Sequence, residues 1–237
     1  MPSSRKFTRP RNEDGSKDAC RIYVIRHGTT RMNVENRYRG RRELPLDEQG
    51  WQDARRAAEM LAFAGLTAVY SGPLLRTLDT ARVIAEGAGG APVYPLPGLI
   101  NLDYGEWEGL TSKEARDLHP SAYRRYTQTP ELAVCPGGEA LADAAERVVL
   151  ALESIGRRHP GQSVATVSHA AMVRLAVARV TGRFGPQWRF PLPTGSATVF
   201  DYRGSLSLPL RDNEPNWVVR IPEAGEVPVV DSGRRLV

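Results

Sequence analysis

Short runs of apolar, largely β-branched residues alternate along this chain with longer segments whose apolar residues recur three and four positions apart. Runs of about four to eight residues bounded by breakers read as buried strands, and the longer spacing reads as amphipathic helix. The pattern predicts strands over Arg21–Ile25, Thr67–Tyr70, Val93–Leu96, Ser163–Val167 and Ser196–Tyr202, with Asn216–Ile221 as a sheet-edge strand. Between them it predicts a helix over Glu48–Ala62, capped by Asp47, with Trp51, Ala54, Ala58 and Leu61 on its inner face. A second begins at Ser71-Gly72-Pro73, with proline at the first helical position, and turns Leu74, Leu78, Ala81 and Ala85 inward. A long helix over Glu139–Arg158 and another over Ala170–Val180, stopped by Gly182, complete the set. Strands without polar alternation need cover on both faces, so the expected class is α/β with a mostly parallel sheet.

The same pattern suggests one catalytic domain over residues 20–221, with no internal repeat. Residues 1–19 are polar and charged and read as a disordered leader; residues 222–237 are proline-rich and aperiodic and read as an irregular tail. Between them, residues 99–136 are irregular, acidic and aromatic, with a weak helix near Ser112–Leu118; they read as a lid or specificity insertion. No run of about 18 apolar residues is present, which argues against a membrane partner, and the leader lacks the apolar middle of a signal peptide. Cys20 and Cys135, far apart and without metal-type spacing, fit a reduced cytoplasmic protein.

The chain carries a net charge of +5, nearly all of its positive charge arginine. The arginines are scattered, with no aromatic-interleaved basic stripe, which favours a small anionic substrate over nucleic acid. Where they fall is more informative. In an open α/β sheet the ligand crevice lies beyond the carboxyl ends of the strands. Arg26-His27-Gly28 closes the first predicted strand, and Ser168-His169 closes another. Arg76 stands in the first turn of the helix after a third, where the helix end favours an anion and a cation makes sense if it serves one; an exposed arginine is the competing reading. The basic loop Thr29–Pro45 follows the first strand directly. Two histidines and two arginines in one crevice suit phosphoryl transfer, in which charge stabilisation and positioning dominate. A neutral imidazole can take the phosphoryl group, and arginines can do the neutralising without a metal. His119 and His159 show no zinc-type spacing, so no metal and no cofactor are expected.

Arg26-His27-Gly28, Asn33, Gly40, Leu46-x-x-x-Gly50, Ser71-x-x-x-x-Arg76-x-x-x-Thr80-Ala81, Gly105-x-Trp107-Glu108-Gly109, Pro136-Gly137-Gly138-Glu139 and Ser168-His169 stand in the order found in the histidine phosphatase superfamily, the phosphoglycerate-mutase-like proteins, which this chain resembles over about residues 21 to 202. The resemblance implies a three-layer α/β/α sandwich. It implies that His27 is the phosphorylated nucleophile, that Arg26, Arg76 and His169 line the phosphate pocket, and that Asn33 assists. Gly28 and Ala170 join the phosphate-binding set as backbone donors.

Three departures from the family pattern stand out. Asn101, in Leu99-Ile100-Asn101, occupies the usual place of the general-acid glutamate, and Asp103, two residues on, is the nearest carboxyl that could act from the same side of an extended segment. Arg39 stands where glutamine is frequent, which suggests a substrate with a second anionic group. Ala170-Ala171 replaces a pair of glycines. The expected function is a metal-independent phosphatase acting on a small phosphorylated metabolite through a phosphohistidine. A phosphoglycerate-type mutase and a catalytically weakened phosphate-binding protein are the alternatives, and a homodimer is an open arrangement.

Overall fold

The computed structural model of the protein describes residues 18–209 and 218–219. Of the expected leader, residues 1–17 lie outside the described residues and Ala19 is buried; the expected tail, 222–237, lies outside them altogether. In chain order the elements are β1 (Cys20–Arg26), α1 (Arg31–Val34), α2 (Glu48–Leu61), β2 (Leu66–Ser71), α3 (Leu75–Gly87), β3 (Val93–Pro95), α4 (Ser112–Leu118), α5 (Pro120–Gln128), α6 (Leu141–Arg158), β4 (Ser163–Ser168), α7 (Ala170–Thr181), β5 (Ala197–Tyr202), β6 (Leu206–Ser207) and β7 (Val218–Val219), with short 3-10 turns between some of them.

The strands form one mixed sheet in the order β3-β2-β4-β1-β5, with β6 and β7 both paired to β5. β1 to β4 run parallel, and β5 is antiparallel to β1. Because alternate side chains leave a strand on opposite faces, Ile22, Val24 and Val164 enter one core while Ile25, Ala165 and Val167 enter the other. The smaller core takes its helical side from Ala57, Ala58 and Leu61 of α2 and Ala81, Ile84 and Ala85 of α3. The larger receives Leu141, Val148, Leu152 and Ile155 of α6 and Met172 and Leu175 of α7. Two cores on either face of one sheet make the three-layer α/β/α sandwich.

The register of the central pair places the site. Arg26 sits opposite Ser168, and the His27 N–H donates to the Ser168 carbonyl at 3.0 Å. The residue after each strand is a histidine, so both imidazoles leave the sheet at the same level.

Several local expectations need correction. α3 starts at Leu75 with Leu74 as its N-cap, not at Ser71-Gly72-Pro73. Ser71 still belongs to β2, and the Gly72 N–H prolongs the ladder to the Val167 carbonyl at 2.9 Å, so proline precedes the helix rather than opening it. Leu78 is only half-buried. Trp51 is 38% exposed; the buried face of α2 is formed by Gly50, Asp53, Ala54, Ala57, Ala58 and Leu61. α6 begins at Leu141, since Glu139 is still paired in a bridge-like turn in which its carbonyl accepts from the Cys135 N–H. Within residues 99–136 the structure adds a second helix, α5, whose inner face carries Ala122, Tyr123 and Tyr126. Trp107 and Tyr126 of this segment are buried in the larger core, ring centroids 5.2 Å apart.

Candidate active site

His27, at the end of β1, and His169, at the N-cap of α7, face each other with ring centroids 5.1 Å apart at 63°. Each is about 1% exposed. His27 Nδ1 lies 2.6 Å from the Gly28 carbonyl. A carbonyl can only accept, so Nδ1 carries the proton and Nε2 keeps its lone pair. Burial holds the His27 pKa well below the usual histidine value, and Arg76, Arg26 and Arg39 lower it further. His169 is held down by burial, then by Arg76, His27, Arg39 and Arg147. Both rings are therefore neutral near pH 7. Neither nitrogen of His169 has a hydrogen-bond partner.

Three guanidiniums surround the pair. Arg76, the second residue of α3, is wholly buried and donates through Nη1 to the Arg42 carbonyl at 2.7 Å and through Nη2 to the Gly40 carbonyl at 2.8 Å. Arg26 donates to the Leu192 carbonyl, and Arg39 reaches the Met32 and Arg37 carbonyls at 3.4 Å each. The buried Nε atoms of all three have no partner. Among the described residues, no carboxylate comes within ion-pair distance of any of them. Burial pushes Arg26 down to about 9, aided by Arg39 and Arg174, and Arg76 down to about 10, aided by Arg39, so both stay charged at neutral pH. Arg76 is buried and Arg26 and Arg39 are half-buried, and with no carboxylate in ion-pair contact among the described residues they are poised to receive an anion.

The supporting residues lock the segment that carries His27. The Gly28 N–H donates to Thr80 Oγ1 at 3.1 Å, and Thr80 Oγ1 donates in turn to the Arg76 carbonyl at 2.8 Å. A side chain at Gly28 would meet the Gly50 carbonyl oxygen at 2.2 Å, so only glycine admits this approach of β1 to α2. Thr29 donates to Asp53 through its N–H at 3.0 Å and its hydroxyl at 2.6 Å. Sequence reasoning missed Asp53; the signal was an acidic residue on the apolar stripe of a helix. Asn33 Oδ1 accepts from the Thr30 N–H and hydroxyl at 3.0 and 2.8 Å, so this oxygen shapes the loop that follows His27. Ala170 opens α7 and is buried, its N–H among those a helix N-terminus leaves without an intrahelical partner.

Asn101 and Asp103 part company. Asn101 is buried; its Nδ2 donates to the Gly40 carbonyl at 3.0 Å, and its Oδ1 has no partner. The Asp103 side chain is about a third exposed, accepts from the Gly105 N–H at 2.9 Å and lies 3.4 Å from Arg41. Glu139 stands beside it, held by Arg147 at 2.9 Å and Arg41 at 3.3 Å. Among the described residues no three His, Cys, Asp or Glu side chains are gathered as a metal ion would require.

A sequence model of the histidine phosphatase superfamily, branch 1, matches residues 22–211. The chain belongs to that superfamily. Within it, the protein is a phosphatase, a hydrolase of phosphoric monoesters. It is 32% identical over 180 residues to phosphoserine phosphatase 1 of Hydrogenobacter thermophilus, a match covering 76% of this chain and 85% of that one. It is also 32% identical over 183 residues to a metal-independent phosphoserine phosphatase of Arabidopsis thaliana, covering 76% and 77%. Among solved structures, YhfR of Bacillus stearothermophilus superposes with a TM-score of 0.73 at 31% identity, covering 80% of this chain and 95% of that one.

Proposed function

We propose that this phosphatase acts without a metal on a small phosphomonoester of the phosphoserine type and carries the phosphoryl group on His27. One observation supports the nucleophile above the others: the Gly28 carbonyl holds the proton on Nδ1 and leaves Nε2 as a lone pair in a pocket of cations. Nε2 attacks phosphorus in line while the bond to the leaving oxygen breaks. Arg26, Arg76 and Arg39 hold the equatorial oxygens, and His169 completes the pocket. Asp103, turning from Arg41 and taking up a proton from solvent, passes that proton to the leaving oxygen. Water then attacks the phosphohistidine and gives a proton back to Asp103; inorganic phosphate leaves and His27 is restored. The two buried free cysteines support a cytoplasmic setting.

The test is a rapid-quench experiment with p-nitrophenyl phosphate labelled at phosphorus. A burst of nitrophenol and an acid-labile, alkali-stable label on the wild-type chain, both lost in His27→Ala, are expected. Turnover that survives His27→Ala would overturn the assignment. Release of inorganic phosphate rather than an isomeric phosphoester separates hydrolysis from mutase action.

A further inference from the structure

The peptide that joins Gly28 to Thr29 is hydrogen-bonded at both of its ends. Its carbonyl lies 2.6 Å from His27 Nδ1 and keeps the proton there. Its N–H donates to Asp53 Oδ2 at 3.0 Å. The bond is trans, so the N–H and C=O of this one planar unit point in opposite directions. The Asp53 carboxylate, the peptide and the His27 imidazole therefore form one chain of two hydrogen bonds.

The fold is built to bring these three together. Gly28 and Gly50 allow β1 and α2 to approach so closely that a Cβ on either would strike backbone of the other. Asp53, three residues after Gly50, falls on the same face of α2. It is buried, and its Oδ2 also accepts from the Thr29 hydroxyl at 2.6 Å, while Oδ1 accepts from Gln49 Nε2 at 3.1 Å and from Arg56. Burial works against the charge of this carboxyl, yet hydrogen bonds from Thr29, Thr194 and Gln49 hold its pKa below the ordinary value. The Thr29 hydroxyl meets that of Thr194 at 2.9 Å, and the Thr29 carbonyl accepts from the Asp47 N–H at 3.1 Å, so the peptide is fixed from several sides. A neutral oxygen would fasten the loop as well. Burying a charge costs more than burying an amide, so the carboxylate calls for a use of its charge.

We infer that Asp53 is a positioning residue that acts on the nucleophile through the Gly28–Thr29 peptide, making the Gly28 carbonyl a stronger acceptor and so fixing the proton on His27 Nδ1. The inference rests on the phosphohistidine reading above and adds the source of the nucleophile's activation. As Nε2 bonds to phosphorus and the bond to the leaving oxygen breaks, the ring becomes cationic while Nδ1 keeps its proton. A negative charge two hydrogen bonds away favours that state over the neutral resting ring, because linked hydrogen bonds polarise one another. No proton passes along the peptide.

Proton NMR of the ¹⁵N-labelled protein tests it, with the buried His27 Nδ1–H resonance assigned by its loss in His27→Gln. Asp53→Asn keeps an oxygen for the Thr29 N–H and removes the charge. The resonance is expected to move upfield. The kcat on p-nitrophenyl phosphate falls about ten- to a hundredfold, the worth of a hydrogen bond to a charged group. The inhibition constant of inorganic phosphate, which reads the arginines, stays near the wild-type value. Arg56→Met removes the cation that competes for the same carboxylate, and it moves the resonance the other way, downfield. A carboxylate that merely braces the loop produces no such opposite pair of shifts. A resonance unmoved in Asp53→Asn, shifts of the same sign in both variants, or a kcat loss matched by an equal rise in the phosphate inhibition constant overturns the relay. Should Asp53→Asn fail to fold, Arg56→Met decides alone, and an unmoved or upfield resonance overturns it. The signal is read in resting enzyme without turnover, so failure of the phosphohistidine chemistry, tested in His27→Ala, stays distinct from failure of the relay.

Discussion

Replacing Gly28 by alanine tests whether the backbone that holds the His27 proton must stay where it is. The added Cβ would lie 2.2 Å from the Gly50 carbonyl oxygen and 3.0 Å from its Cα. Relief needs a displacement of about 1 Å, because carbon and oxygen in a packed interior settle well beyond 3 Å. α2 has little freedom to give way: Gly50 N–H is bound by the Asp47 cap at 2.7 Å, and a Cβ on Gly50 would itself strike the Thr29 carbonyl at 2.1 Å. The end of β1 has to move, and with it the carbonyl 2.6 Å from His27 Nδ1. Overpacking of this kind costs about 1–3 kcal/mol, which for a chain of this size lowers Tm by roughly 2–12 °C. A displacement of ~1 Å at a nucleophile costs about a hundredfold in rate. The expected result in Gly28→Ala is thus a kcat on p-nitrophenyl phosphate reduced about a hundredfold, with KM changed far less. Gly185, with nothing within 4 Å of a built Cβ, supplies a neutral comparison as Gly185→Ala. A Gly28→Ala enzyme with wild-type kcat and wild-type Tm would refute the reasoning.

Stability should fall with acidification. Both histidines have folded pKa values well below the ordinary value near 6.5, so below that pH the unfolded chain binds protons that the folded chain refuses. The loss approaches ~1.4 kcal/mol per histidine per pH unit below 6.5; urea melts at pH 7.5 and 5.5 measure it, and a His27→Gln, His169→Gln double variant that kept the full pH dependence would contradict it. Exhaustive chelation with EDTA should leave turnover intact, whereas loss of activity restored by an added divalent ion would count against metal-independent chemistry. Asp103→Asn should slow hydrolysis of an alkyl phosphate by about 10²–10⁴ and of the nitrophenyl ester much less, since only the poor leaving group needs an acid. Equal effects on both esters would remove Asp103 from that role.

The strands and the histidine pair were legible because they depend on local pattern. A β-branched run ending in Arg26-His27 and another ending in Ser168-His169 needed only the parallel register to become neighbours. Asp53 was hidden by its neighbours: in an amphipathic helix a lone carboxylate reads as a solvent-facing position, and its bonds to Thr29 come from the far end of another element. The start of α3 was misplaced because a proline at the first helical turn and a proline just before it look alike in sequence. The short α1 carries too few apolar positions to show a period, and in α5 only Ala122, Tyr123 and Tyr126 mark one.

One oxygen atom, the carbonyl of Gly40, receives both Arg76 Nη2 and Asn101 Nδ2. It therefore works as a rivet through three separate parts of the chain: the helix behind β2, the basic loop and the stretch leading into the aromatic insertion. An arginine at position 76 is fastened on its amino side before any substrate arrives, leaving Nε without a protein partner. Supplying free guanidine to a truncated Arg76 variant would return the charge without returning the rivet.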